Sequence, residues 1–189
     1  TDAQQAALDA LSQTSTEPPT VLAEEGAVRF LTGSVVISDT IAISPQEKAT
    51  YFLKQNSALF QLGDAGKNLR TEGTTTDDLG NTFVRYSQQY KGVPVYGSDI
   101  IVSVNGQDAI ESVNGGYVPN LAIDVQPSVR STKAEEIALA DLGTGNGQVV
   151  AETSLVIYDP MVFGESSPEG PRLAWRVVAT NGESGVLSF

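Results

Sequence analysis

Residues 69–118 alternate short β-prone runs with residues that turn the backbone, and this restricts the fold more than any other feature of the chain. Asp77-Asp78-Leu79-Gly80-Asn81 and Asn105-Gly106-Gln107-Asp108 read as hairpin turns, because Asp, Asn and Gly tolerate the dihedrals such turns require. They divide the segment into strands over 71–76, 82–90, 99–104 and 109–113. Strands joined by hairpins pair antiparallel. In the second run Val84, Tyr86, Gln88 and Tyr90 share a face while Phe83 and Arg85 lie opposite, so both faces carry apolar surface and the strand is expected to be central. Ile100, Val102 and Val104 share a face in the third. Ile110 and Val113 fall out of alternation in the fourth, which predicts a bulge near Glu111-Ser112.

Helical patterns flank this segment. Ser44-Pro45-Gln46-Glu47 is a capping box with proline at the first helical position, so a helix should start at Pro45. Ala49, Phe52, Leu53, Leu59, Phe60 and Leu62 extend one apolar stripe until Gly63-Asp64-Ala65-Gly66 ends it. Thr132-Lys133-Ala134-Glu135 reads as a second capping box, opening a helix with Ala134, Ile137, Ala138, Ala140 and Leu142 that ends at Gly143. A turn over 144–147 and strands over 153–158 and 173–179 follow, with a loop over 160–171 between the strands. Leu173, Trp175 and Val177 share a face, which makes Trp175 a core residue. Asn181-Gly182 is a hairpin turn, and a further strand begins at Val186.

Ahead of the first helix, residues 27–33 read as a strand closing in a turn at Gly33, with a second short run over 34–37. Residues 2–11 have near-helical apolar spacing, and Pro18-Pro19 stops it, so residues 1–26 are expected to be a mobile N-terminal lead. The proline-punctuated stretch 118–127 is the expected linker. It divides the chain near Asp124 into units at 27–123 and 124–189, the second with an incomplete last strand. A helix followed by antiparallel strands thus occurs twice, an α+β architecture in which each helix packs on its sheet.

Composition narrows the chemistry. The 189 residues contain no histidine and no cysteine, and 23 acidic against 11 basic residues give a formal charge of −12. Nucleic acid is not an expected partner, since neutralising phosphates needs clustered Lys and Arg. No stretch approaches the ~20 apolar residues of a bilayer-crossing helix, so no membrane partner is expected either. The N-terminus lacks a charged, apolar leader, which fits a signal peptide already removed. Adjacent carboxylates at Glu24-Glu25 and Asp77-Asp78 would point to opposite faces of a strand or into solvent from a turn, an arrangement unlike a paired acid and base. Asp77 to Asn81 lacks the bidentate glutamate of a calcium loop, and Gly182-Glu183-Ser184-Gly185 lacks the order of a nucleophile elbow. No residue is assigned a catalytic, metal-binding or cofactor-binding role.

The stretch Gln89-Tyr90-Lys91-Gly92-Val93-Pro94-Val95-Tyr96-Gly97-Ser98-Asp99, running into Ile100-Ile101-Val102, resembles the signature of the fungalysin/thermolysin propeptide domain. Gly80 to Tyr90 and Ile110 to Leu121 resemble the same family in order and spacing, and so does Arg29-Phe30-Leu31-Thr32-Gly33. The part beyond the linker is similar to a PepSY domain, through its alanine-rich helix, Leu155 to Tyr158 and Leu173-Ala174-Trp175-Arg176-Val177. The resemblance implies two small cystatin-like units. It implies further a non-catalytic pro-region of a secreted, bacterial, thermolysin-like zinc metallopeptidase. Such a region acts as intramolecular chaperone and inhibitor, with the cognate catalytic domain as partner and a secreted or envelope location. The missing histidines agree, since that catalytic domain carries its zinc on His-Glu-x-x-His. Val93, Val95 and Tyr96 are the candidate contact residues, an apolar surface with an aromatic anchor. The alternative is a free-standing exported inhibitor or envelope-binding module with the same domains; a downstream His-Glu-x-x-His in the gene would exclude it.

Overall fold

The structure is a computed structural model and describes residues 1–142 and 149–180. Helices α1 (Asp2–Thr14), α2 (Pro45–Gln55), α3 (Ser57–Phe60), α4 (Ala65–Asn68) and α5 (Ser131–Asp141) accompany two antiparallel sheets. The larger contains β1 (Glu17–Glu24), β2 (Ala27–Val36), β3 (Leu69–Thr76), β4 (Thr82–Tyr90), β6 (Asp99–Val104) and β7 (Ala109–Gly116), in the spatial order β1-β2-β7-β6-β4-β3. The short β5 (Val93–Pro94) pairs with the end of β4. The smaller sheet is the hairpin of β8 (Val149–Tyr158) and β9 (Arg172–Thr180). This is the α+β architecture expected.

The turn chemistry sets the topology of the large sheet. Asp77 accepts hydrogen bonds from the backbone of Leu79 (2.9 Å) and Asn81 (2.8 Å), closing the β3–β4 hairpin. Asn105 Oδ1 does the same for Gln107 and Ala109 between β6 and β7. β4 is central, flanked by β3 and β6, and Thr82, Val84, Tyr86 and Gln88 are buried on its inner face. Ser103 pairs with Ser112 and Val104 with Ile110, so Glu111 is the extra residue of the bulge foreseen near Glu111-Ser112. The core on this face joins Leu31, Val84, Ile100, Val102, Val104, Ile110 and Val113 to Phe52, Leu53, Leu59 and Phe60 from the helices.

Helix α2 begins as its capping box requires. Ser44 Oγ accepts from Glu47 N (3.2 Å), and Glu47 Oε2 accepts from Ser44 N (2.9 Å). The bond from the Ser44 backbone, followed by those that the Ser44 hydroxyl and the Ile43 backbone donate to the same carboxyl, holds Glu47 below its ordinary range. The apolar stripe beyond α2 is not one helix. Asn56 turns its Nδ2 back to the Phe52 carbonyl (2.9 Å), α3 restarts at Ser57, and Gln61 then adopts φ 53°. The break lets Phe60 meet Phe52 edge-on, ring centroids 6.2 Å apart.

Three other expectations are corrected. Residues 1–26 do not stand ahead of the fold: Leu11 of α1 is buried, and Gln4 Nε2 donates to the carbonyls of Gly26 (2.8 Å) and Leu59 (3.0 Å). Pro18 and Pro19 lie in β1, an edge strand, at the register shift between the Glu17–Ser34 and Thr20–Thr32 pairs, where neither is called on to donate to the ladder. Gly33 is no turn. β2 passes through it with one extra residue between the Thr32–Ser112 and Val35–Ile110 pairs, so the expected strand and the run after it are one bulged strand.

The second capping box does not form, because α5 starts at Ser131 with Arg130 as its cap, and Thr132 therefore sits inside the first turn. The expected helix end at Gly143, the turn over 144–147, the Asn181-Gly182 hairpin and the strand from Val186 lie outside the described residues. Trp175 is only half-buried, its Nε1 donating to the Val129 carbonyl (2.7 Å), which corrects its assignment to a closed core.

Candidate protein-contact site

The loop after β4 carries the candidate contact residues, and its geometry follows from its glycines. Lys91 (φ 50°) and Gly92 (φ 83°) form a two-residue turn with both residues in the left-handed region, which sets β5 against the end of β4. A second reversal at Gly97 (φ 76°) aims the chain into β6. Ser98 Oγ ties the loop internally, accepting from Gln88 N (2.8 Å) and donating to the Val95 carbonyl (2.9 Å). Gln88, itself buried, pairs its side-chain amide with both backbone groups of Val118, at 2.7 Å and 2.9 Å. Loop, central strand and the exit from β7 are thereby fixed together.

The three candidates differ in placement. Val95 is 3% exposed and makes a parallel bridge with Ile157 of β8, next to a bond from Tyr96 N to the Ile157 carbonyl (2.8 Å). Val93 packs against the small cluster that Val95 forms with Val118, Ile157 and Met161. Tyr96 is half-buried, its ring 5.9 Å from that of Phe163, and the Arg176 guanidinium lies 5.6 Å from its centroid. The loop therefore joins the large sheet to the β8–β9 hairpin of the same chain. Sequence reasoning missed Phe163, which is 50% exposed and sits in a 3₁₀ turn at 160–163 that was read as loop.

Other ionisable groups hold structure together. Lys48 on α2 is buried to its tip, where Nζ meets Asp39 (2.8 Å) and Asp108 (3.3 Å); the bond to Asp39 chiefly raises its pKa. Arg85 and Asp99 make a bidentate pair across β4 and β6 (2.7 Å and 2.6 Å). Burial pushes the Tyr86 and Tyr117 hydroxyls up to about 12. Among the described residues no group of three or more acidic side chains converges as a metal site. No helix among them is long and apolar enough to cross a membrane.

The protein is similar to thermolysins, bacillolysins and a thermostable neutral protease. It is 34% identical over 160 residues to the thermolysin of Alicyclobacillus acidocaldarius subsp. acidocaldarius, covering 78% of this chain and 27% of that protein. To the bacillolysin of Bacillus subtilis (strain 168) it is 33% identical over 118 residues, covering 62% and 22%. To the thermostable neutral protease NprT of Geobacillus stearothermophilus it is 31% identical over 145 residues, covering 68% and 25%. The chain spans about a quarter of the length of the curated relatives it matches. Residues 67–117, which hold β3 to β7 and the whole loop described above, match the Fungalysin/Thermolysin Propeptide Motif.

Proposed function

We propose that the chain is the non-catalytic pro-region of a secreted thermolysin-like metallopeptidase, serving as folding template and inhibitor of its catalytic domain. The propeptide motif over 67–117 carries this reading, because it coincides with the part of the fold that is stitched most completely: β4 paired on both sides, two capped hairpins and the Gln88–Val118 pair. A pre-ordered antiparallel surface lowers the cost of binding, since few of its own groups remain to be ordered. Such a partner accelerates folding of a slow enzyme when it binds the folding transition state. Covalent linkage before cleavage keeps the effective concentration high, so inhibition is near complete.

The division near Asp124 gives a propeptide unit and a PepSY-like unit, both of cystatin-like plan, and residues 1–26 belong to the first. Export of the precursor, with its leader removed, follows from the same reading. Of the candidate contacts, Tyr96 with its neighbour Phe163 is the pair able to face a partner, since Val95 is spent inside the chain. Adding the purified chain to the separately refolded catalytic domain should slow peptide cleavage in a saturable manner. Unchanged cleavage at every ratio would refute the reading.

A further inference from the structure

The 3₁₀ turn Pro160–Phe163 belongs by sequence to the connection between β8 and β9, yet it lies on the large sheet. Two glycines of that sheet make room for it. A β-carbon at Gly97 would lie 2.6 Å from Phe163 Cε1, and one at Gly116 would lie 3.0 Å from the Val162 carbonyl oxygen. A side chain at Gly97 would push the Phe163 ring aside, and one at Gly116 would press on the backbone of the turn itself. Arg29, the extra residue where β2 bulges against β1, donates from Nη2 to the Met161 carbonyl (2.9 Å) and from Nη1 to the Tyr117 carbonyl (3.4 Å). The Met161 side chain enters the cluster of Val95, Val118 and Ile157. The buried Asp159 fixes the turn itself, its Oδ1 accepting from Met161 N (3.0 Å).

We infer that this turn is an internal strap: Gly97, Gly116 and Arg29 form its socket, and seating it makes the hairpin assembly unfold together with the large sheet. No residue of α5 is buried, and between α5 and the hairpin lies an open cleft of about 520 Å³ lined by Ile137, Leu155, Leu173, Trp175 and Val177. Among the described residues, the hairpin's contacts with the large sheet include the strap, the adjoining Val95–Ile157 bridge and Leu173, which packs on the same cluster. The signature loop from Val93 to Gly97 accordingly has a role inside the chain, independent of any peptidase partner.

The chain supplies separate reporters for the two parts. Trp175, the one tryptophan in the sequence, lies in β9, whereas most of the strand and helix that dominate far-ultraviolet circular dichroism lies in the large-sheet assembly. Thermal unfolding of the 189-residue chain, followed by both signals, should give coincident transitions. Phe163→Ala removes the ring from Gly97, and Arg29→Met removes the clamp on the Met161 carbonyl while keeping an apolar stem. In each variant the Trp175 midpoint should fall several degrees below the circular-dichroism midpoint. Separate transitions in the unaltered chain would overturn the inference, and so would coincident transitions in both variants, whether shifted or not. The experiment needs no catalytic domain, so its failure leaves the functional proposal standing and is distinguishable from a failure of that proposal.

Discussion

The large sheet and the β8–β9 hairpin are built from similar strands but hold themselves together differently. In the large sheet, helices α1 to α4 close one face, and Phe52, Phe60, Leu31 and Ile100 are each about fully buried. Facing the hairpin, α5 has none of its own residues buried and leaves a cleft, with Ile137 57% exposed. The difference teaches that sheet pairing alone does not make a core: strand ladders are satisfied in both, and only the closed apolar layer separates them.

Core truncation should break the comparison most strongly. Phe52→Ala is expected to cost about 3–5 kcal/mol, read as a lowered urea midpoint by circular dichroism. Next comes Gln88→Met, which leaves both backbone groups of Val118 buried and unpaired; about 2–4 kcal/mol should be lost. Alkaline titration probes the same assembly. Tyr86 and Tyr117 have folded pKa values of about 12 against an ordinary 10.0, so their stabilisation is complete below pH 10 and is lost as pH rises towards 12. The loss is roughly 2 kcal/mol per tyrosine by pH 12, and Tyr86→Phe should remove about half of it in urea melts taken from pH 9 to 12. The smallest effect belongs to the open cleft. Ile137→Ala should change stability by less than about 0.5 kcal/mol, and a cost near that of Phe52→Ala would show that α5 closes a core after all.

Legibility in the sequence followed the same divide. The strands over 69–116, the Glu111 bulge and the start of α2 were readable because their causes are local: Asx turns, two-residue alternation and a capping box. Expectations failed where a distant partner decided. β1 keeps its two prolines because its register against β2 shifts at them on an edge strand, and α1 is anchored by Gln4 reaching Leu59, 55 residues away. The Thr132 box failed because nothing in four residues distinguishes a cap from a first turn. Val93, Val95 and Tyr96 were recognisable as an apolar group, but no local signal announces that Ile157 and Phe163 meet them; the one hint was Gly97, a glycine beside an aromatic.

The account stands or falls on whether this prefolded sheet directs the folding of a peptidase. Denatured cognate catalytic domain should be diluted into native buffer with and without the 189-residue chain, and recovered peptidase activity measured after the chain has been digested away. A pro-region acting on the folding transition state raises the rate at which activity is recovered at least tenfold, equivalent to a barrier lowered by about 1.4 kcal/mol. Equal recovery with and without the chain would contradict it.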